Sequence, residues 1–227
     1  AVSSCIQLVD VIGQLHGYRV LVQCGISEVL CWGVSRKERR IQVSSLMLIG
    51  HIFDSDIHSI NPQALALLTE KMVSIVENGL HEGVCYAIWD LNLLISNLQR
   101  EVAFLFGRVV KAVIAVVTKN VLIKPAVLQK NVVMIMTTIG ALDPEIVVDY
   151  LALLTSEETL PHVLTIPNEF IRFNVLRLLG VLICLKPQNC LKNVSCIGRI
   201  YTEALKQYPH LIEIWSKIQA AFAPFNL

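Results

Sequence analysis

Charge is scarce in this sequence. Only 16% of its 227 residues are Asp, Glu, Lys or Arg, and 19 basic against 18 acidic residues leave a net charge of +1. Such a balance creates no overall field toward nucleic acid or an anionic membrane, so neither is expected as a direct partner. Long uninterrupted apolar runs are also missing. A membrane-spanning helix needs about 20 consecutive apolar residues. Asp90 interrupts the run around Ile88, Arg108 and Lys111 flank Val113, and Asp143-Pro144 ends the run from Val132. Familiar catalytic and metal spacings are absent: no CxxC, HExxH, GxSxG or GxxxxGK occurs. No enzymatic activity, cofactor or metal is therefore expected. His51 and His58, with Asp54 and Asp56 between them, lack a further ligand at a suitable spacing and read as a polar helix end. The opening residues are not those of a signal peptide, and a chain that starts at Ala1 rather than Met reads as a piece of a longer protein.

Apolar residues, in contrast, are plentiful. They make up 54% of the chain, and mean hydropathy is +0.60. Helices buried by neighbours on several sides account for this without a membrane. Seven cysteines, an odd number without paired spacing, fall mostly inside apolar helical patterns. They read as free thiols behaving as small hydrophobes in the reducing cytoplasm or nucleus.

Helical periodicity dominates, with proline and glycine mostly between the periodic runs. The pattern predicts helices over 2–16, 18–32, 38–53, 62–78, 82–97, 100–119, 124–142, 144–156, 168–185, 189–207 and 209–223. Asn61-Pro62 and Asp143-Pro144 read as a cap followed by proline in the first helical position, where its missing N–H costs nothing. Gly17, Gly33 and Gly79 mark helix ends, and 156–167 reads as the longest connection, an exposed insertion. The dense cluster Ser35-Arg36-Lys37-Glu38-Arg39-Arg40 reads as a solvated turn rather than an anion site.

An internal repeat organises these helices. Gly13, Gly50, Asn92, Gly140 and Gly180 lie 37, 42, 48 and 40 residues apart. Residues one, four and seven before each anchor, and two after it, are apolar in all five cases; for Gly50 they are Ile49, Leu46, Val43 and Ile52. Such spacing makes one helix face. A small anchor admits a close neighbour, and recurrence near forty residues is the period of antiparallel helix pairs. The expected fold is all-α: a HEAT-repeat α-solenoid forming a single array over 1–227, about five repeats, with the anchored helices second in each pair. Three residues before the anchors stand Asp10, Met47, Trp89, Thr137 and Arg177, whose varied chemistry suits either a ligand-facing or a solvated column. Trp89 fits two readings, a binding hot spot or a packing residue between repeats; Tyr86, one turn earlier, extends either.

The segments Ser44–Gly50, Cys85–Trp89 and Thr138–Glu145, in this order and spacing, resemble successive C-terminal repeats of the transportin family of karyopherin nuclear import receptors. Leu8–Gly13 and Phe173–Leu185 fit the flanking repeats, so the resemblance covers nearly the whole chain. It implies protein cargo bound through an extended nuclear localisation signal on the concave wall. It also implies Ran GTPase acting through an absent N-terminal part, nucleoporins as further partners, and residence in cytoplasm and nucleus. The family's cargo-site tryptophan maps onto Trp89. Its apolar partner maps onto Thr137, and its backbone-binding asparagines onto Tyr86 and Met134, all departures from the family pattern. The implied cargo-binding set is Trp89, Tyr86, Met134 and Thr137. The rival readings are a HEAT scaffold of another kind, such as a phosphatase scaffold or vesicle-coat subunit, and a helical enzyme.

Overall fold

The computed structural model describes residues 2–78, 82–119 and 125–225. These residues are all-helical, and no strand occurs among them. None of the helices is long and apolar enough to cross a membrane. The chain divides into two compact units, Ala1–Lys124 and Pro125–Leu227.

The first unit contains α1 (Val2–His16), α2 (Tyr18–Gln23), α3 (Ile26–Val34), α4 (Arg39–Asp56), α5 (Pro62–Asn78), α6 (Gly83–Leu98) and α7 (Phe106–Lys119). Asn61 opens α5 as its spacing predicts, its Oδ1 accepting from the Gln63 N–H at 2.8 Å. The helix expected over 18–32 is broken instead. Gly25 adopts φ 81°, a left-handed conformation that L side chains avoid, and ends α2 before α3 begins. The apolar pattern runs unbroken across this joint and hides it. The helix expected from residue 100 starts only at Phe106, after a 3-10 segment over Gln99–Leu105. Gly33, expected to end a helix, lies inside α3 against α4, where an added Cβ would come within 2.1 Å of Ser45 Oγ. Gly79, read as a helix end, lies outside the described residues.

Helices α1, α4 and α6 lie side by side; α3 packs on α4 and α5 on α6, and α3, α5 and α7 adjoin one another in that order. The bonds between helices reveal their directions. Ser3 and Ser44 share a hydroxyl hydrogen bond, and Asp10 pairs with His51, each pair 41 residues apart. A constant offset means that α1 and α4 run parallel. Between α3 and α4 the partners converge: Gly33 faces Ser45, and Val34 accepts from Gln42. Those two helices are antiparallel. Leu46, Ile49 and Ile52 of α4 and Ile88, Leu91 and Leu94 of α6, all repeat positions, are buried to 1% exposure or less. In α1 the pattern fails. Ile6 is buried, but Ile12 and Leu15 are 39% and 74% exposed. This helix has neighbours on one side only, α4 and α2.

The second unit contains α8 (Pro125–Leu142), α9 (Leu151–Leu154), α10 (Glu169–Leu185), α11 (Val194–Gln207) and α12 (Ile212–Phe222). Helices α8, α10 and α12 pack in chain order. The helix expected over 144–156 is two short 3-10 segments and the four-residue α9. The helix expected from 189 begins at Val194, after a 3-10 segment over Pro187–Asn193. The connection 156–167 is not an exposed insertion. It contains a 3-10 segment, Leu160–Thr165, whose Leu160 and Val163 are fully buried, with Ile166 at 2%. Apolar residues at steps of three turn this segment inward, and it packs on α8, α10 and α11. Asn168 then caps α10, its Oδ1 accepting from the Ile171 N–H at 3.1 Å.

Here too the partners keep an offset of 41. Glu145 pairs with Lys186, Asn189 donates to the Val148 carbonyl, and Asn193 donates to the Ala152 carbonyl. Arg199 pairs with Glu157 at an offset of 42. Segments 145–157 and 186–199 therefore run parallel.

Candidate protein-binding surface

The repeat register puts Asp10, Met47 and Trp89 at one position on three adjacent helices, α1, α4 and α6. Met47 is 38% exposed, while Asp10 and Trp89 are part-exposed. The Trp89 indole leans over α4: its Cδ1 lies 3.6 Å from the position a Cβ on Gly50 would occupy. An absent side chain on α4 thus admits the largest side chain of α6. Tyr86, one turn earlier on α6, is also part-exposed. Trp89 and Tyr86 therefore keep some surface for a partner while packing within the unit.

Beside Met47 the joint between α1 and α4 is polar. The Asp10 carboxylate accepts from the Tyr18 hydroxyl at 2.8 Å and from His51 Nδ1 at 2.8 Å, both on the same oxygen. Burial, reinforced by the neighbouring carboxylate, pushes the Tyr18 hydroxyl up to about 12. The rings of Tyr18 and His51 stand 5.9 Å apart, tilted by 43°. His51 is thus committed to Asp10, forty-one residues away, rather than to His58. Among the described residues no group of three or more His, Cys, Asp or Glu side chains is placed to hold a metal ion. Tyr18→Phe removes one neutral-to-charged bond from this joint. It is expected to cost the first unit about 1–2 kcal/mol in urea unfolding.

One residue of this region was passed over in the sequence except as a charge in an apolar run. Asp90, next to Trp89, is 1% exposed, and neither carboxylate oxygen has a hydrogen-bond partner among the described residues. It lies against α4, where a Cβ on Gly50 would come within 2.6 Å of its Oδ1. Burial pushes its carboxyl well above the ordinary 3.8. A lone acid in an apolar helical run was the available signal.

The other two implied site residues lie in the second unit, on α8, and are buried. Met134 is 4% exposed and Thr137 1%. The Thr137 hydroxyl donates back to the Val133 and Met134 carbonyls at 2.8 and 2.9 Å. Bonded into its own helix, it has no donor left for a partner. Arg177, at the same register on α10, is exposed. The patch carried forward is therefore Trp89, Tyr86 and Met47, within the first unit.

No protein-family model, curated protein or solved structure matches the chain.

Two of the four basic residues in the cluster at 35–40 have acidic partners. Arg36 pairs with Glu38 at 3.2 Å and sits over the Trp32 ring, and Arg39 reaches Glu82 at 2.8 Å. All are exposed pairs, of which each contributes little.

Proposed function

We propose that the chain is part of a HEAT-type α-solenoid that binds extended protein segments across α4 and α6, as a nuclear transport receptor of the transportin kind. One observation supports the stacked-repeat reading most: pairs 41 residues apart join parallel segments in both units. A stack of helix pairs places each residue beside residues about one repeat further along the chain. The offset also lies close to the anchor spacings in the sequence.

Binding rather than catalysis is the reading favoured by the side chains. Asp10 and His51 form two members of a relay-like set, but Tyr18 bonds the same carboxylate oxygen instead of the other imidazole nitrogen. That arrangement ties helices together and prepares no nucleophile. Trp89, Tyr86 and Met47 supply the part-exposed apolar side chains that anchor protein partners. Cargo carrying an extended nuclear localisation signal would lay its apolar residues there. Ran and nucleoporins would act elsewhere on the receptor, Ran through N-terminal repeats. The expected locations are cytoplasm and nucleus, with no cofactor, nucleic acid or membrane required.

Trp89→Ala in the full-length receptor is expected to weaken cargo binding by at least about 1 kcal/mol, roughly a fivefold rise in Kd. Calorimetric titration measures this; an unchanged Kd dismisses the patch. The burial of Met134 and Thr137 favours a second reading, a HEAT scaffold of another kind without a cargo track on α8. Pull-down of the full-length protein with GTP-loaded Ran separates the two, because a transport receptor retains Ran and such a scaffold does not.

A further inference from the structure

The end of α3 and the turn into α4 bring an exposed aromatic ring and four cations together within residues 32–40. Val29, Trp32 and Arg36 follow one another at steps of three and four, so they share one face of α3 as it runs into the turn. Val29 is 47% exposed and Trp32 46%. The Arg36 guanidinium stands 5.0 Å over the Trp32 ring. Lys37, Arg39 and Arg40 follow, all exposed. Arg36 pairs with Glu38 and Arg39 with Glu82. The side chains of Lys37 and Arg40 have neither ion pair nor hydrogen bond among the described residues. The turn is also held in shape. Gln42 Nε2 donates to the Val34 and Arg36 carbonyls at 3.0 and 3.3 Å, and the Ser35 hydroxyl donates to the Cys31 carbonyl at 2.7 Å. A surface fixed in advance loses little freedom on binding.

We infer that the α3–α4 turn is a docking surface for an acidic peptide segment of a partner protein, one that carries an apolar residue among its carboxylates. Charge complementarity selects this occupant. Lys37 and Arg40 are cations without a counter-charge, and the neighbouring Arg36 shows how a carboxylate is held here. Its Nε and one Nη donate to the two oxygens of Glu38 at 3.2 and 3.3 Å. Trp32, with Val29 one turn earlier, offers an apolar seat beside the cations. A half-exposed tryptophan is the side chain on which protein contacts concentrate. Single-stranded nucleic acid fits less well, because it stacks on successive rings. Trp32 is the one aromatic residue of 26–40, and the Glu38 and Glu82 carboxylates beside the cations repel phosphates. The surface includes none of Trp89, Tyr86 and Met47, so it stands or falls independently of the cargo patch.

The probe is a fluorescein-labelled peptide in which glutamates alternate with leucines, titrated into the full-length protein and followed by fluorescence anisotropy. Lys37→Glu combined with Arg40→Glu should raise its Kd about tenfold, and Trp32→Ala about fivefold. Arg19→Glu, which reverses an exposed charge on α2, and Trp89→Ala should leave the Kd unchanged. Two measurements need no variant: added salt should weaken binding, and a probe with glutamine in place of glutamate should bind the natural protein about tenfold more weakly. The inference is overturned if the natural protein shows no saturable binding, if the glutamine probe binds equally well, or if either variant of the turn keeps its Kd. An equal loss in Arg19→Glu would reduce the effect to overall charge and overturn it too. A loss in Trp89→Ala would move the peptide to the cargo patch. Tighter binding of oligothymidylate through Trp32, Lys37 and Arg40 would make the partner a nucleic acid; both results contradict the assignment.

Discussion

Asp90→Asn should stabilise the first unit at pH 7 by at least about 1 kcal/mol and flatten its dependence on pH. The argument starts from burial. Asp90 is 1% exposed, unpartnered, and pressed against α4 at Gly50. An ionised carboxylate there would lose its hydration without a compensating bond, so the folded state retains the proton. Its folded pKa therefore stands above the unfolded value of 3.8. Below pH 3.8 both states are protonated and no penalty arises. As the pH climbs, the unfolded chain releases a proton that the folded chain keeps, and stability falls. The slope reaches about 1.4 kcal/mol per pH unit and ends once the pH passes the folded pKa. Asparagine has a similar shape and no proton to lose. Urea titrations at pH 4, 6 and 8 should show falling stability in the natural chain and a flatter line in the variant. Parallel lines would mean that Asp90 ionises in place.

Gly180→Ala should destabilise the second unit by about 1–3 kcal/mol, although alanine is the better helix former. A Cβ at this position would come within 2.5 Å of Ile214 Cγ1, 3.1 Å of Tyr201 Oη and 3.2 Å of Ile218 Cδ1. Ile218 and Tyr201 are fully buried, and the Tyr201 hydroxyl donates to the Leu176 carbonyl at 2.6 Å. Three packed side chains would have to shift together. Gly198, in α11 of the same unit, is the contrast. Its nearest neighbour would be Trp215 at 3.9 Å, an ordinary contact. Gly198→Ala should therefore stabilise by up to about 1 kcal/mol through helix propensity alone. Thermal unfolding of the two variants should move Tm in opposite directions. A shift of the same sign for both would contradict the role given to the anchor glycine.

The helices were legible where burial wrote a period into the chain. Gly50, Gly140 and Gly180 each face a side chain of a later helix, Asp90, Leu182 and Ile214 respectively, as a small anchor should. The joint at Gly25 was not legible, because apolar residues continue on both sides of it and a left-handed turn needs only one glycine. The segment after Ser156 was misread for a different reason. Its prolines and acidic residues look solvent-bound, yet Leu160, Val163 and Ile166 at steps of three are what the interior takes up. For the candidate site, register identified the column containing Met47 and Trp89 but could not give its depth. Thr137 holds the same register and is buried, because depth depends on how neighbours lie and not on position along one helix. Asp90 showed only as a lone acid in an apolar run, a signal outweighed by the rule that acids almost never occur fully buried without a partner.

Photo-crosslinking tests the central claim, binding of an extended segment across α4 and α6, most directly. A peptide carrying an extended nuclear localisation signal and a benzophenone label is irradiated with the full-length protein, and the adducts are located by mass spectrometry. Adducts at Met47, Tyr86 and Trp89 are the predicted result. Adducts confined to α3, α5 and α7, or label captured at none of these helices, would contradict it.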